Sequence, residues 1–210
     1  MRHAAKRALG RLRRRSRIAR YLREQEERKL QLGAADKPLP GWLNTDLHDY
    51  GRPDIVFLDA REAFPLPDAS FDVVYSEHML EHLTYADGQR CLRECFRVLR
   101  PGGTISIATP SLERLAGLYG DGDLQARYVQ WAAATLQPEL KAPLPGAVVN
   151  NFFRSWGHEF IYDPATLRHA LTEAGFVEIE ERPIGALERH LPEEPELNAF
   201  ETIVLEARRP

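Results

Sequence analysis

From residue 29 onward, short apolar segments alternate with segments of helical periodicity, and this alternation limits the possible folds more than any other feature. The alternation predicts a parallel-sheet α/β architecture with right-handed crossovers, because parallel neighbours need a helical connection. The predicted strands are residues 29–32, 42–47, 54–58, 71–75 and 104–108, followed by residues 176–181 and 200–207, which alternate apolar and charged positions as half-exposed strands do. Pro and Gly residues separate these segments and mark turns.

Two helices carry clear start signals. Thr84 is followed three residues later by Asp87, a spacing typical of a capping box, and the helix is predicted to stop at residues 101–103. Asp163 and Pro164 supply an N-cap and a first-turn proline for a second helix, which Gly175 closes. Residues 111–160 lack strand alternation and are predicted to form an insertion or lid.

The chain has 210 residues and a net charge of −3, but the charge is unevenly distributed. Residues 1–29 contain 12 Lys and Arg against three Glu, which leaves 16 basic and 28 acidic residues in the rest. We therefore predict a basic helical arm over residues 1–28 and a single domain over residues 29–210. The arm is interpreted as a solvated helix leaning on the acidic body, as an arm for an anionic partner such as nucleic acid or anionic lipid, or as a targeting peptide.

The cysteine content and the uncharged segments bear on the compartment. The chain has two cysteines, Cys91 and Cys95, which are too few for a disulfide framework and lie four residues apart on one helix face. We expect them to be buried thiols, in a reducing, cytoplasmic setting. The uncharged segments are shorter than the roughly 20 residues of a membrane-spanning helix, so no transmembrane segment is expected.

Carboxylates follow successive predicted strands. Asp46 comes at the end of the second strand and Asp59 after the third, while Asp36 follows the turn after the first. Ligands of open parallel sheets bind beyond the carboxyl ends of the strands. An acidic residue after the second strand can accept both hydroxyls of a ribose, and one after the third can accept from an exocyclic amine. This pattern indicates a nucleoside-like ligand, although an Asp at a strand end also serves simply to cap a turn.

The segment from His78 to His82 also fits H-x-x-E-H, the zinc motif of inverted metallopeptidases. That motif needs a long helix and a third ligand further along the chain. Here a strand precedes the motif and Thr84 begins a new helix almost at once. We therefore expect no metal site from the motif alone.

Four segments together resemble the class I S-adenosylmethionine-dependent methyltransferases, and most of all a small bacterial, type 11-like subgroup. The segments are LQLGAADKPLPGWLNTDL, DAREAFPLPDASFDVVYSEHMLEHL, ECFRVLRPGGTISIATPS and GHEFIYDPATLRHALTEAGF. The resemblance covers nearly all of residues 29–207. It implies a Rossmann-like, doubly wound sheet of seven strands, mostly parallel with the last strand antiparallel beside the fifth, plus a helical lid.

The resemblance also implies an S-adenosylmethionine site, residue by residue. The first-strand turn would line the methionine end of the cofactor, the second strand end would hold the ribose, the third would flank adenine, and the fourth would border the sulfonium and the acceptor. In that order, these residues are Leu32, Gly33 and Ala34, then Asp46 and Leu47, then Asp59 and Ala60, then Ser76, Glu77 and His78.

The chain departs from the family pattern at Ala35, where the second glycine of the glycine motif is expected. Glycine is used where the backbone approaches a ligand or takes a positive φ, so alanine there costs on the order of 1 kcal/mol or blocks the approach with its methyl group. We hypothesise that Asp36 compensates by accepting from the ammonium group of the cofactor.

Methyl transfer also needs an aligned acceptor and, for a hydroxyl or amine, a base. His78 and His82 are the candidate bases, since an unperturbed imidazole pKa near 6.5 suits proton transfer at neutral pH. Arg154, Trp156 and His158 of the insertion are candidate substrate residues, with Tyr162 nearby. We expect a small-molecule or glycan acceptor; the alternatives are a non-catalytic binding module with a weakened cofactor site, and an RNA methyltransferase that uses the Arg-rich arm.

Overall fold

The fold is taken from a computed structural model that describes residues 14–48, 52–137, 139, 142–184, 197 and 199–210. Residues 1–13 of the predicted basic arm lie outside the described residues. Residues 14–24 form a helix, here called α1, and residues 25–28 of the predicted arm are not helical.

The described strands form one seven-stranded sheet in the order β3-β2-β1-β4-β5-β7-β6. They are β1 (Lys29–Leu32), β2 (Leu43–Asp46), β3 (Ile55–Phe57), β4 (Phe71–Glu77), β5 (Leu99–Pro110), β6 (Val177–Glu181) and β7 (Thr202–Arg208). Strands β1 to β5 pair in parallel, and β7 runs antiparallel to both β5 and β6. This confirms the expected fold class, including the last strand beside the fifth. The strand order reverses between β1 and β4, which places the ligand-binding crevice of such a sheet at their carboxyl ends.

Helices connect and follow the strands. They are α2 (Tyr85–Val98), α3 (Leu112–Ala116), α4 (Asp123–Leu136), α5 (Pro145–Arg154) and α6 (Pro164–Glu173), with 3-10 turns at Leu80–His82 and Gly117–Tyr119. The helices α3 to α5 all fall in the stretch where the sequence shows no strand alternation. Within the described residues, none of the helices combines the length and apolar character that crossing a membrane requires.

Both predicted helix starts have the expected caps. The Thr84 hydroxyl accepts from the backbone N–H of Asp87 at 3.2 Å and donates to the Asp87 carboxylate at 2.8 Å. The Asp163 carboxylate accepts from the backbone N–H of Thr166 at 2.6 Å, with Pro164 at the first helical position. Each side chain satisfies a backbone donor that the first helical turn leaves without a partner.

Two strand predictions differ from the structure. The fifth strand was expected to begin at Thr104 but β5 begins at Leu99, and the register of β4 against β5 shifts between Phe71 and Val73 to accommodate the extra residues. The turn residues before Thr104 therefore belong to an irregular strand start. The last strand was expected to be half exposed, whereas most of β7 is buried because it pairs with strands on both sides.

Two hydrophobic clusters stabilise the described fold. The larger one joins the sheet to α2 and α6 and includes the thiols Cys91 and Cys95, which are free and buried as predicted. The smaller one lies within the helical stretch and consists of Leu115, Leu118, Tyr128, Val129, Ala132, Val148, Phe152 and Ile161. The helical stretch thus has an apolar core of its own, next to the one that holds the sheet.

Helix α1 packs on the body of the protein. Ile18 is buried in the main core, and the ring of Tyr21 stacks on Phe71 with 6.3 Å between centroids. The Tyr21 hydroxyl donates to the backbone oxygen of Lys29 at 2.9 Å. These contacts favour the interpretation of α1 as a helix leaning on the body.

Candidate functional site

The turn after β1 brings the backbone close to the residue that follows β4. Gly33 has a φ of +69°, and a Cβ atom there would lie 2.5 Å from Cγ of Met79, so only glycine fits this position. Ala35 also has a positive φ, +46°, which is uncommon for a residue with a side chain. The chain therefore accepts at Ala35 the left-handed conformation that a glycine would take without strain.

Asp46 holds this turn against the end of β2. Its Oδ2 accepts from the backbone N–H of Ala35 at 3.0 Å, and its Oδ1 accepts from the backbone N–H of His48 at 2.8 Å. The carboxylate is nearly buried. Because an ionised carboxylate has about four acceptor positions, two remain for a ligand.

A cavity of about 410 Å³ opens at the carboxyl ends of β1, β2 and β4, at the switch point of the sheet. This volume is within the range of small-molecule sites. Of the residues predicted from the sequence, those that line it are Leu32, Gly33, Asp46, Leu47, Asp59, Ala60, His78, His82 and Trp156, and Ala35 lines it as well. One cavity thus collects residues from every strand end that the sequence singled out.

Backbone strain is concentrated around this cavity. Among the described residues, those other than glycine with a positive φ are Ala35, Ala69, His78, Trp156 and Glu178. Three of these five, Ala35, His78 and Trp156, line the cavity. Left-handed backbone at residues with bulky side chains persists where the surrounding structure enforces it, and it is enriched at functional sites.

Asp59 forms an ion pair with a residue of the same loop. The Arg61 guanidinium donates to both of its carboxylate oxygens, at 2.8 and 2.7 Å, and the Arg61 backbone N–H donates at 3.1 Å. The Arg61 side chain is 49% exposed, whereas that of Asp59 is 12% exposed. Arg61 therefore covers Asp59 at the adenine end that the resemblance implies.

Both ring nitrogens of His78 have partners. Nδ1 lies 3.2 Å from Oε1 of Glu81, and Nε2 lies 3.2 Å from the hydroxyl of Thr202. Desolvation opposes the charged ring, but the hydrogen bond and charge of Glu81, with the charge of Glu201, outweigh it and raise the pKa of His78. This favours an imidazolium that holds Glu81 in place.

Glu81 is fully buried and was considered in the sequence only as part of the zinc motif. Burial would raise its pKa, but the hydrogen bond and charge of His78 outweigh burial, so the pKa of Glu81 lies below its ordinary value. The Thr109 hydroxyl donates to its Oε2 at 3.1 Å, and the backbone N–H groups of Glu159 and Phe160 donate to its carbonyl oxygen. Glu81 thus joins the turn after β4, the end of β5 and the segment that follows α5.

That junction places His158 beside His82. Their ring centroids are 5.0 Å apart, and Trp156 lies 5.5 Å from His158. The Nδ1 atom of His158 lies 2.7 Å from the carbonyl oxygen of Phe152, so it carries the proton and Nε2 holds the free lone pair. Burial outweighs the charge of Glu81 and lowers the pKa of His158, which favours the neutral ring.

Some predicted site residues do not line the cavity. Ala34 and Ser76 are buried, Asp36 and Arg154 are exposed, and Glu77 accepts a hydrogen bond from the Tyr75 hydroxyl at 2.7 Å. The hydroxyl oxygen of Ser76 has no hydrogen-bond partner among the described residues. Tyr162 is fully buried in the core. A larger share of the residues predicted at the ends of the first three strands than of those predicted at the end of the fourth strand therefore lines the cavity.

Several residues of the cavity wall were not predicted from the sequence. These are Thr45, His48, Leu58, Arg61, Met79 and Leu83. Each is a close sequence neighbour of a predicted site residue, so extending each strand end by one or two positions would have found them. Only the folded structure shows that the Leu80–His82 turn and His158 form one cluster, because His158 lies 76 positions after His82.

The chain was compared with known protein families and proteins. Residues 19–107 match the family described as "Methyltransferase domain". A protein of Mycolicibacterium smegmatis named "Probable S-adenosylmethionine-dependent methyltransferase" is 48% identical over 62 residues, which are 30% of this chain and 23% of that protein. The malonyl-acyl-carrier-protein O-methyltransferase of Methylococcus capsulatus is 29% identical over 126 residues, 60% of this chain and 42% of that protein. The matches thus span less than half the length of these curated relatives.

Solved structures share the fold at low sequence identity. An S-adenosylmethionine-dependent methyltransferase from Mesorhizobium loti is 18% identical with a TM-score of 0.53, over 87% of this chain and 90% of that one. One from Archaeoglobus fulgidus is 18% identical with a TM-score of 0.51, over 96% of this chain and 94% of that one. At these identities, the likeness concerns the fold alone.

Proposed function

Because the chain belongs to the class I S-adenosylmethionine-dependent methyltransferase family, we propose that it transfers the methyl group of S-adenosylmethionine to a small-molecule or glycan acceptor. The observation that carries this proposal is the convergence of the β1 turn, Asp46 and Asp59 on one cavity at the switch point of the sheet. A carboxylate at the end of β2 can accept from both ribose hydroxyls, and one after β3 can accept from the exocyclic amine of adenine.

The proposed cofactor contacts follow the order of the strands. Leu32 and Gly33 would line the methionine end, Asp46 would accept from the ribose hydroxyls with Leu47 beside it, and Asp59 with Ala60 would flank adenine. The spare acceptor positions of Asp46 support its part. Ala34, Ser76 and Glu77 would support the residues that line the cavity without contacting the cofactor. The Asp36 side chain would have to rotate toward the cavity to reach the ammonium group of the cofactor.

On the acceptor side, the proposed wall consists of His78, His82 and Trp156. The bound cofactor supplies a methyl carbon activated by the neighbouring sulfonium charge. When the acceptor oxygen or nitrogen forms its bond to that carbon, the carbon–sulfur bond breaks and its electron pair stays on sulfur. The acceptor proton must leave, and His82 is the proposed recipient since both ring nitrogens of His78 already have partners. Arg154 and His158 would help to position the acceptor from the edge of the cavity.

Calorimetry with S-adenosylhomocysteine tests the cofactor site. We expect binding to the wild type, and a roughly 10- to 100-fold weaker affinity for Asp46→Asn, because hydrogen bonds to a charged partner contribute about 1.5–3 kcal/mol. Asp54→Asn is the matched control, since Asp54 lies at the opposite end of β3 and pairs with Arg52. Equal affinities for the wild type and Asp46→Asn would remove Asp46 from the site.

A second candidate is a non-catalytic binding module of the same fold. The observation that favours it is that both aspartates already accept hydrogen bonds from the protein itself, Asp46 from backbone N–H groups and Asp59 from Arg61. If the chain is such a module, neither S-adenosylmethionine nor S-adenosylhomocysteine gives heat or thermal stabilisation at millimolar concentration.

The two free, buried thiols support placing either function in a reducing, cytoplasmic setting.

An anionic partner for the arm remains part of the proposal. Helix α1 turns Ile18 to the core and leaves Arg20 and Arg23 mostly exposed, with side chains 65% and 72% exposed. Such a surface attracts phosphates at low ionic strength. Methylation of RNA would require salt-sensitive binding that Arg20→Glu with Arg23→Glu abolishes.

A further inference from the structure

We propose that Glu81, His82 and His158 form a binding site for one divalent cation of the zinc type beside the candidate cofactor cavity. One possible ligand atom of each residue lies within 4.8 Å of those of the other two. The sequence context of the H-x-x-E-H motif argued against a metal, because the motif needs a long helix and a third ligand further along the chain, whereas here a strand precedes it and a new helix begins at Thr84. The fold supplies that ligand from the segment after α5 and leaves His78 outside the set.

The donor set suits zinc. Two imidazoles and one carboxylate are the protein ligands of several catalytic zinc sites, which keep a fourth position open for water or substrate. In a tetrahedral site with bonds of about 2.0–2.1 Å, ligand atoms are about 3.4 Å apart. The three donors would therefore have to approach one another by at most about 1.4 Å to close on an ion.

The surroundings already orient two of the ligands. The Phe152 carbonyl fixes the Nδ1 proton of His158, so its Nε2 lone pair is available to an ion, as the outer hydrogen bonds of metal-binding histidines commonly arrange. Thr109 and His78 hold the two oxygens of the Glu81 carboxylate, at 3.1 and 3.2 Å. A ligating carboxylate with hydrogen bonds of its own is typical of such sites.

The position of the cluster gives an ion access and a use. His82 is exposed and lines the cavity, so an ion can enter from that side, and its open position would face the acceptor. An ion there would occupy the lone pair of His82 that is otherwise proposed to take the acceptor proton. It would instead lower the pKa of a bound acceptor hydroxyl, whose proton would pass to water. This effect on turnover rests on the proposed function, whereas binding of the ion does not.

The test is calorimetric titration of the untagged, chelator-treated full-length protein with zinc chloride. A separate chelator-treated sample is titrated with cobalt chloride and followed by visible absorption. We expect one ion per chain and the absorption of a tetrahedral cobalt site. His82→Ala and His158→Ala should each weaken zinc binding by at least about tenfold. His169→Ala is the matched control, since His169 is an exposed histidine on α6 outside the cluster.

Wild-type protein that takes up no zinc, or that binds it no more tightly than the His82→Ala/His158→Ala double variant, would overturn the proposal. Circular dichroism and thermal melting show whether each variant is folded, and Glu81→Gln gives an independent third variant. S-adenosylhomocysteine binding, measured on the same samples, reports on the proposed function separately. Zinc uptake without S-adenosylhomocysteine binding would thus support the ion site and reject the methyltransferase.

Discussion

At the scale of single residues, Ala35 shows how the chain retains the site geometry without the expected glycine. Its backbone N–H donates to Asp46 at 3.0 Å, and this bond requires the turn to keep its left-handed conformation. For an L-residue with a Cβ atom that conformation costs roughly 1–2 kcal/mol. The hydrogen bond to a carboxylate offsets a cost of that size. The turn is therefore held by a neighbouring side chain rather than by its own sequence.

Ala35→Gly should consequently leave the free energy of unfolding unchanged or raise it by up to about 1 kcal/mol, although alanine-to-glycine changes ordinarily destabilise. Relief of strain is the reason. Urea unfolding measures the change, and Ala69→Gly is the matched control, because Ala69 has nearly the same φ, +48°, away from the cavity. Both variants should behave alike in stability, and only Ala35→Gly should affect S-adenosylhomocysteine affinity, in the direction of tighter binding. A loss of about 1 kcal/mol in Ala35→Gly would contradict the strain at this position.

The same scale shows what the sequence could predict of the site. Asp46 ends the second strand and Asp59 follows the third, and chain order alone places them at one sheet edge. Their hydrogen-bond partners within the protein, the Ala35 N–H and the Arg61 guanidinium, depend on backbone angles and side-chain directions. A spacing pattern carries no information on either. The pairing of His82 with His158 was beyond prediction for the same reason, since the path of residues 111–160 is set by packing.

At the scale of secondary-structure elements, Glu94 connects α2 to the segment that enters β4. Its carboxylate accepts from the backbone N–H of Phe64 at 2.6 Å and from the Arg97 guanidinium at 2.9 and 2.7 Å. Arg97 in turn donates to the carbonyl oxygens of Phe64 and Leu66. The hydrogen bonds of Arg97, against a smaller effect of burial, lower the pKa of Glu94.

Glu94→Gln should therefore destabilise the protein by about 1–3 kcal/mol at pH 7. A lowered carboxyl pKa means that the stabilisation is complete above the unfolded pKa, near 4.5, and is lost as the pH falls through the lower folded value. The difference between wild type and variant, followed by urea unfolding from pH 7 to pH 3, should shrink in that window. Glu173→Gln, at an exposed position on α6, should stay within about 0.5 kcal/mol throughout. A difference that is constant with pH would show that the ionised form is not what stabilises.

The helices of the insertion are expected to unfold separately from the sheet, because they have their own core. Phe152 is buried there, contacts Trp156 and His158 with its ring, and positions His158 through its carbonyl oxygen. Phe152→Ala should cost about 3–5 kcal/mol, and hydrogen exchange should show the loss of protection first in α4 and α5 while β1 and β4 remain protected. Phe153→Ala is the matched control, since the neighbouring side chain is 45% exposed. Equal loss of protection in sheet and insertion would show that the two cores unfold as one unit.

The elements themselves were largely predictable, and the exceptions have physical causes. Apolar segments and caps located every strand and both capped helices, because burial and unsatisfied backbone groups act locally along the chain. The start of β5 at Leu99 was missed because Pro and Gly signal a turn. The register of β4 against β5 shifts at this point, and Gly102 and Gly103 form backbone hydrogen bonds with Arg209, which follows β7. The burial of β7 was missed because alternation does not reveal that a strand lies between two neighbours.

At the scale of the whole molecule, the basic arm is part of the folded domain as far as it is described. The domain match begins at residue 19, within α1, and Arg17 donates to the backbone oxygens of Ile55 and Pro53, next to β3. A second cavity of about 490 Å³ lies between α1 and the segment before β2, lined by Tyr21, Trp42 and Arg52 among others. Within the described residues, α1 of the basic segment therefore packs directly against the rest of the protein.

Ile18→Ala tests this integration. Ile18 is 5% exposed in the main core, so removing its side chain should lower the free energy of unfolding by about 2 kcal/mol or more, as buried isoleucine-to-alanine changes do. Arg20→Ala is the matched control on the same helix; its side chain is 65% exposed, and the change should stay within about 0.5 kcal/mol. If α1 served only to attract an anionic partner, the order would reverse: Ile18→Ala would leave urea unfolding unchanged, and Arg20→Ala would weaken binding to a polyanion in a salt-dependent way. A loss of stability confined to Ile18→Ala would show that α1 stabilises the domain through the main core.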